Sequence, residues 1–404
     1  MSSPYKTFAI KTFGCKVNFA DSSMITQGLI EYGLSLVDIN EIADIYIINT
    51  CSVTANADKK ANQFIKSLNS KVPLSKIVIT GCYAQLNAKN ISHQKGVDLV
   101  IGMEDKLNIE KYFFNNLRSN IVRQNIDKTK NFDISYSLSE RTRSFIKIQD
   151  GCDYFCSYCT IPDARGKSRS GTIENVLNKM NLILDSGVKE IVLSGINVGD
   201  FGSNDENLYL LLLELEKLDR LQRYRISSIE PNLLNDDVIN IFSRSKKALP
   251  HFHIPLQSGS DKVLKSMKRR YTAKDYYKLI NKISLKIPNI CIGVDVIVGF
   301  PSESIDDFME TYNLIENLNI SYLHVFSYSE RFNTEASNIQ SVVSKKEIIY
   351  RRKLLQKLSN EKHQNYINNN IGLESKVLFE KKEDGFFEGL TENYIRINVK
   401  TDKK

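Results

Sequence analysis

The chain has 404 residues, 42% hydrophobic and 25% charged, a balance typical of soluble globular proteins that excludes a largely disordered one. At ~150 residues per domain, this length suggests two to three domains, and a net charge of +8 permits a polyanionic partner without requiring one. The densest apolar run, Leu208–Leu213, is far short of the ~20 residues that span a bilayer, and the N-terminal stretch has no apolar signal core, so no membrane association and a cytoplasmic, reducing location are expected.

The first hundred residues alternate short apolar runs with helical stretches. Lys6–Phe13, Asp44–Asn49, Lys76–Thr80 and Val97–Ile101 read as strands, with Ser22–Tyr32 and Ala57–Leu68 as helices between them. Such alternation predicts a parallel α/β sheet with crossover helices. Residues 105–140 are polar, Asn-rich and poorly periodic, and read as a linker. A second series begins at Ser144, with strands at Ser144–Gln149, Glu190–Ser194, Tyr224–Ile229, His251–Pro255, Ile292–Gly299 and Tyr322–Tyr328. Six strand–helix units suggest a partial or open (β/α)6 barrel, a fold that binds ligands at the C-terminal ends of its strands. A basic helix follows at 341–370, with Ser344 and Glu347 fitting a capping box. The last segment, 371–404, alternates apolar and polar residues around Gly385 and Gly389 and reads as a small β element.

Seven cysteines in a reducing compartment point to metal binding or catalysis rather than to disulfides. Cys152, Cys156 and Cys159 stand in a C-x3-C-x2-C spacing after the first strand of the second series. Three thiolates on one loop can hold three irons of a 4Fe–4S cluster and leave the fourth open to chelate a small molecule. Structural zinc would want a fourth ligand, and no His lies in this loop. Cys15, Cys51 and Cys82 each follow a strand of the first sheet, just before a helix. Loops at that end of a parallel sheet converge on one crevice, where helix N-termini favour thiolates, so the three can carry a second cluster. Three small core residues would be the plain alternative. Cys291, inside an apolar strand, reads as core.

The loop spacing, its place after a first barrel strand and Tyr158 before the last cysteine resemble the radical S-adenosylmethionine (SAM) enzymes. In that resemblance the strand ends supply cofactor contacts: Ser194, Gly195 and Asn197 after the second strand, Ser228 and Glu230 after the third, Gln257 after the fourth and Val298 at the fifth. With GCKVN (Gly14–Asn18), INTCSVTANAD (Ile48–Asp58), TGCYAQ (Thr80–Gln85) and KIQDGCDYFCSYC (Lys147–Cys159), the chain is similar to the radical SAM methylthiotransferases. The likeness is strongest to the branch acting on threonylcarbamoyladenosine in tRNA. It implies a methylthiotransferase domain over 1–104, a radical SAM domain over 141–340 and a C-terminal TRAM-like domain about half its usual length. It further implies two 4Fe–4S clusters, SAM as both methyl donor and radical source, an external electron donor, a sulfur source and a tRNA substrate modified at C2 of adenosine 37, beside the anticodon. Arg165, Lys167 and Arg169 after the cluster loop, and Arg269, Arg270 and Tyr271 after the fourth strand, are candidate RNA contacts: cations for phosphate and an aromatic for stacking. Competing readings are the same chemistry on isopentenyladenosine in tRNA or on a ribosomal-protein aspartate, and a non-catalytic RNA-binding protein with structural metal.

Overall fold

The computed structural model describes residues 5–400 except 114–118, 127–128, 130, 139–141, 204 and 384. The chain forms two compact units. The first comprises Met1–Leu138, Phe145–Asp153 and Cys159–Gly171; the second comprises Ser139–Ser144, Tyr154–Tyr158 and Thr172–Lys404.

The first unit is built on strands β1 (Thr7–Thr12), β2 (Ser35–Leu36), β3 (Ile45–Thr50), β4 (Lys76–Gly81), β5 (Leu99–Ile101) and β6 (Ile121–Val122). All pair in parallel, in the order β2-β1-β3-β4-β5-β6. The crossovers include helices α1 (Lys16–Glu31), α2 (Ala55–Lys71) and α3 (Cys82–Ser92). Period-two alternation sends Tyr46, Ile48, Ile77 and Ile79 to a core shared with α2 and α3. Ile45, Ile47 and Val78 go to the opposite core, shared with Ile25 and Leu29 of α1. Both faces are apolar, which is why these strands read as near-continuous hydrophobic runs. The stretch read as a linker is not featureless: it carries a 3-10 segment at Lys106–Tyr112, and Ile121–Val122 extends the sheet as β6. Its low periodicity follows from elements too short to show one.

Beyond it lie β7 (Arg143–Lys147), β8 (Gln149–Asp150), α4 (Ile161–Arg165) and β9 (Arg169–Ser170), with β8 and β9 antiparallel. The second unit then alternates α5 (Ile173–Asp185), β10 (Glu190–Ser194), α6 (Leu208–Lys217), β11 (Arg223–Ile226), α7 (Asp236–Arg244) and β12 (His251–His253). It continues with α8 (Asp261–Ser266), α9 (Ala273–Lys286), β13 (Cys291–Val298), α10 (Ile305–Asn317) and β14 (Tyr322–Ser327). β10 pairs with β11, β12 with β13 and β13 with β14, all in parallel. Parallel bridges Tyr224–Ala248 and Ser228–His253 join the two groups. With β7, six strands alternate with helices, as the partial barrel reading requires.

Helix α11 (Lys345–Asn370) covers the edge of β14: Ser359 Oγ accepts from Leu323 N and donates to Leu323 O. Ser344 caps α11 by accepting from Glu347 N, while the Glu347 carboxylate accepts from Arg351 Nε at 3.1 Å. The expected capping box is thus seen through its Ser side, and Glu347 serves an i,i+4 ion pair. Buried Arg351 also ties α11 to Glu303 at 2.6 Å.

The antiparallel strands β15 (Val377–Glu383), β16 (Phe386–Thr391) and β17 (Arg396–Lys400) close the chain. The turn between β16 and β17 plugs the N-terminal end of the barrel. Tyr394 stacks on His251 with centroids 4.1 Å apart, under the Arg225 guanidinium, which donates to Thr391 O and Glu392 O at 2.8 Å each. Fully buried Glu190 pairs with both Arg225 and Arg223, at 2.9 and 2.7 Å.

Candidate active site

In the first unit the strand order changes direction between β1 and β3, and ligands of such sheets bind in the crevice at that switch point. Cys15 is the N-cap of α1, Cys51 follows β3 directly, and Cys82 opens α3. Two glycines let the three loops crowd together. Gly14, at φ +110°, leaves room for Cys51: a Cβ there would lie 2.7 Å from Cys51 Cβ and 3.0 Å from its Sγ. Gly81, at φ +95°, would drive a Cβ to 2.3 Å from Thr50 O. Both positive φ values are also ones that only glycine adopts without strain. Cys15 is exposed, whereas Cys51 and Cys82 are buried. Burial, with Cys82 and Cys15 beside it, pushes the Cys51 thiol up to about 12. Thiols that raise one another's pKa in this way are a set that a cationic iron cluster would convert to thiolates. A cradle shaped by Gly14, three convergent thiols and an exposed mouth at Cys15 fit such a cluster.

A buried ionic network stands behind Cys82. Arg165, fully buried, donates from Nε to Cys82 Sγ at 3.2 Å, from Nη1 to Asp150 Oδ1 at 2.8 Å, and from Nη2 to Asn18 Oδ1. Asp21 pairs with Lys106, with Lys147 at 3.0 Å and with Arg165 at 4.0 Å. Lys147 also lies 3.6 Å from Asp150. Burial opposes ionisation of both carboxyls, but these cations outweigh it and hold Asp21 and Asp150 well below the usual carboxylate range. Among these described ion pairs, three cations meet two carboxylates, and the surplus positive charge is directed at Cys82. Burial raises the Cys82 thiol, and Arg165 acts against that rise. This corrects the reading of Arg165 as an RNA contact: with no exposed surface, its fork is spent on the thiol site. Of its neighbours, Lys167 is exposed, and Arg169 donates to Arg165 O, Lys167 O and Asn131 O.

The C-x3-C-x2-C loop is held by backbone at both ends. Cys152 N donates to Gly166 O at 3.0 Å, and Cys159 Sγ accepts from Ile161 N at the start of α4. In the second unit, Ser157 is tied to Met267 O and Ser266 O, and Tyr158 packs edge-on against Phe300. Buried Cys156 accepts from Arg269 Nη1 at 3.2 Å. Arg269 in turn pairs with Glu230 and donates from Nε to Tyr271 Oη. The Tyr271 hydroxyl donates to the carbonyls of Pro255 and Leu256. Arg269 and Tyr271 are therefore buried framework, not the RNA-facing pair expected; their polar atoms are committed to Cys156, Glu230 and the fourth-strand loop. Arg270 is exposed, with its guanidinium 4.0 Å above the Tyr154 ring.

The strand-end residues are joined by the same bonds. Glu230 N donates to Asn197 Oδ1 at 3.4 Å, so Asn197, Glu230, Arg269 and Cys156 form one chain across three strand ends. Ser194 is buried and bonds back to Val192 O. Ser228 Oγ lies 2.7 Å from His253 Nδ1. Gln257, at φ +66°, bridges Val296, and Val298 O accepts from Tyr328 N. Asp21 and Lys106 were not singled out in the sequence, and Asn18, Lys147 and Asp150 stood only inside the quoted motifs, with no role assigned to them. The signal was a run of polar residues, Asn18 and Asp21–Ser23, on the buried face of α1, where an ordinary amphipathic helix would be apolar.

Two family models match the chain: the Uncharacterized protein family UPF0004 over residues 7–102 and the Radical SAM superfamily over residues 146–315. The threonylcarbamoyladenosine tRNA methylthiotransferase MtaB of Bacillus subtilis (strain 168) is 39% identical, over 98% of this chain and 90% of that protein. The protein of the same name from Aquifex aeolicus is 37% identical, over 96% and 95%. The tRNA-2-methylthio-N(6)-dimethylallyladenosine synthase of Endomicrobium trichonymphae is 33% identical, over 96% and 91%. Among solved structures, the radical SAM methyltransferase TsrM from Kitasatospora setae superposes with a TM-score of 0.61 at 12% identity, covering 80% of this chain and 73% of that one, a likeness of fold alone. One 4Fe–4S cluster with SAM is thus the cofactor set of the barrel, and the chain is an enzyme that belongs to the radical SAM methylthiotransferase family.

Proposed function

We propose that this enzyme installs a methylthio group at C2 of N6-threonylcarbamoyladenosine 37 in tRNA, with SAM as methyl donor and radical source. The observation that carries this reading is the convergence of Cys15, Cys51 and Cys82 at the switch point of the first sheet, in a chain that also has the C-x3-C-x2-C loop. A radical SAM enzyme that only abstracts hydrogen needs the loop alone; sulfur transfer needs somewhere to hold sulfur. Cys152, Cys156 and Cys159 would hold one cluster, and Cys15, Cys51 and Cys82 a second. Bound at the loop, a cluster with SAM supplies a 5′-deoxyadenosyl radical by reductive cleavage of the sulfonium.

The protein's own residues then position the site. Arg269 donates to the Cys156 sulfur and is oriented by Glu230, so the loop is pinned to the strand ends that face the cofactor. Arg165 does the same for Cys82, with Asp150 and Asn18 fixing its fork. Tyr394, stacked on buried His251, docks the C-terminal sheet onto the N-terminal end of the barrel. The exposed cations Lys167 and Arg270, with half-buried Arg169, are the candidate phosphate contacts for RNA. An external electron donor and a sulfur source complete the reaction, and the tRNA substrate implies the cytoplasm.

The test is anaerobic turnover of the reconstituted enzyme with SAM, dithionite and sulfide. Anticodon stem-loops carrying threonylcarbamoyladenosine or isopentenyladenosine, and ribosomal protein, are assayed in parallel, with mass spectrometry of the products. Methylthiolation of the threonylcarbamoyladenosine loop is expected. Modification confined to the isopentenyl loop or to the protein would refute the substrate, and no SAM cleavage at all would refute the chemistry.

A further inference from the structure

Within the second unit, a polar cluster facing the barrel interior serves neither cysteine set. Asp295 on β13 and His324 on β14 are register partners in a parallel pair, so their side chains share one face. His253 on β12 reaches the same place, with Nε2 2.8 Å from Asp295 Oδ1. Its Nδ1 is held by Ser228 Oγ at 2.7 Å, which fixes the plane of the ring. The polar atoms of His253, Asp295 and His324 all lie within 4.8 Å of one another. The cluster is not sealed: His253 and Asp295 side chains are 19% and 21% exposed, and His324 is exposed. Beside it, a cavity of about 510 Å³ lined by His324, Phe326, Gln356 and Asn360 runs along β14 and α11.

The depth of the cluster bears on its use. Asp295 precedes Val298 by three residues, about 10 Å down the strand from its cofactor end. On the other side, His251 and Tyr394 close the barrel. A base presented to the cofactor through the open side would therefore place its substituent among these three residues.

We propose that His253, Asp295 and His324 read the polar N6 substituent of the target adenine. The His324 imidazole donates to the carboxylate of the threonylcarbamoyl group, while Asp295, held in place by His253 Nε2–H, accepts from its ureido N–H. This assignment rests on the substrate reading given above. An isopentenyl group offers no partner to any of the three and would strip them of water, which is how a polar pocket rejects an apolar analogue.

The test measures dissociation constants of the reconstituted enzyme for three stem-loops differing only at the target base: threonylcarbamoyladenosine, isopentenyladenosine and adenosine. Wild type should bind the first at least tenfold tighter than the second. His324→Ala and Asp295→Asn should each weaken the first about tenfold, one charge-assisted bond, while leaving the adenosine loop unchanged. Unaltered iron content and circular dichroism exclude misfolding, and His324, being exposed, is the safer variant. If wild type shows no preference, the substrate reading falls. If wild type prefers the threonylcarbamoyl loop and both variants keep that preference, or lose all loops equally, the cluster is not its reader. A preference abolished by EDTA would make the cluster a metal site and overturn direct contact.

Discussion

Replacing Arg165 with Met tests the idea that one buried guanidinium organises the Cys82 side of the first unit. Met fills much of the volume, so the loss is confined to charge and hydrogen bonds. Three acceptors lose a donor at once: Asp150 Oδ1, Asn18 Oδ1 and Cys82 Sγ. Removing one partner from a buried ion pair costs about 3–5 kcal/mol. Here Lys147 remains 3.6 Å from Asp150, so the lower end of that range, about 3 kcal/mol, is the reasonable expectation. For a unit of this size, each kcal/mol lowers Tm by roughly 2–4 °C, giving a drop of about 10 °C by calorimetry under reducing, anaerobic conditions. Arg165→Met with Asp150→Asn should cost less than the two single changes summed, because they share a bond. Arg165→Lys should rescue only in part, since an ammonium cannot span Asp150, Asn18 and Cys82 as a planar fork does. A Tm within 2 °C of wild type, together with strictly additive double-variant behaviour, would refute a supporting role for Arg165.

Three further outcomes follow from the same structure. Cys156→Ala should abolish reductive cleavage of SAM, read as 5′-deoxyadenosine by chromatography, while tRNA affinity stays within a few-fold; cleavage that survives would displace the cluster from that loop. Asp21 and Asp150 have folded pKa values below their ordinary value of 3.8, so their contribution to stability is present above that pH and is lost as pH falls below it. The urea midpoint of wild type should therefore fall between pH 5 and pH 3, and Asp21→Asn should flatten that dependence; parallel curves would contradict it. Tyr394→Ala removes the stack on His251 and the contact with Arg225, together about 1–2 kcal/mol. Amides of β15–β17 should then exchange with deuterium roughly tenfold faster, and unchanged protection would show that the turn is not what docks this sheet.

Much of the framework was legible because periodicity and cysteine placement are local signals. Ile45–Thr50 and Lys76–Gly81 announce buried parallel strands by composition alone, and the cysteines after them inherit their position from the topology. Arg165, Arg269 and Tyr271 were misplaced for a reason of equal simplicity. A cation in a Gly- and Ser-containing loop looks solvated until a distant segment supplies its partner, and Asp150, Asn18 and Cys82 lie 15, 147 and 83 residues from Arg165. The cluster around His253 leaves no local signal because its partners Ser228 and Asp295 come from other strands, and only the register of β12 to β14 assembles them. Long-range polar pairing leaves no periodic trace, so buried ionic networks are where reading a sequence stops.

The central claim is that the chain carries two independent iron–sulfur clusters on its two cysteine triplets. It is tested most directly by anaerobic reconstitution with iron counting and Mössbauer spectroscopy, on wild type and on the variant with Cys152, Cys156 and Cys159 all replaced by Ala. About eight irons falling to about four, with a 4Fe–4S spectrum retained, is the expected result. About four falling to none would contradict it and return Cys15, Cys51 and Cys82 to the core of the first unit.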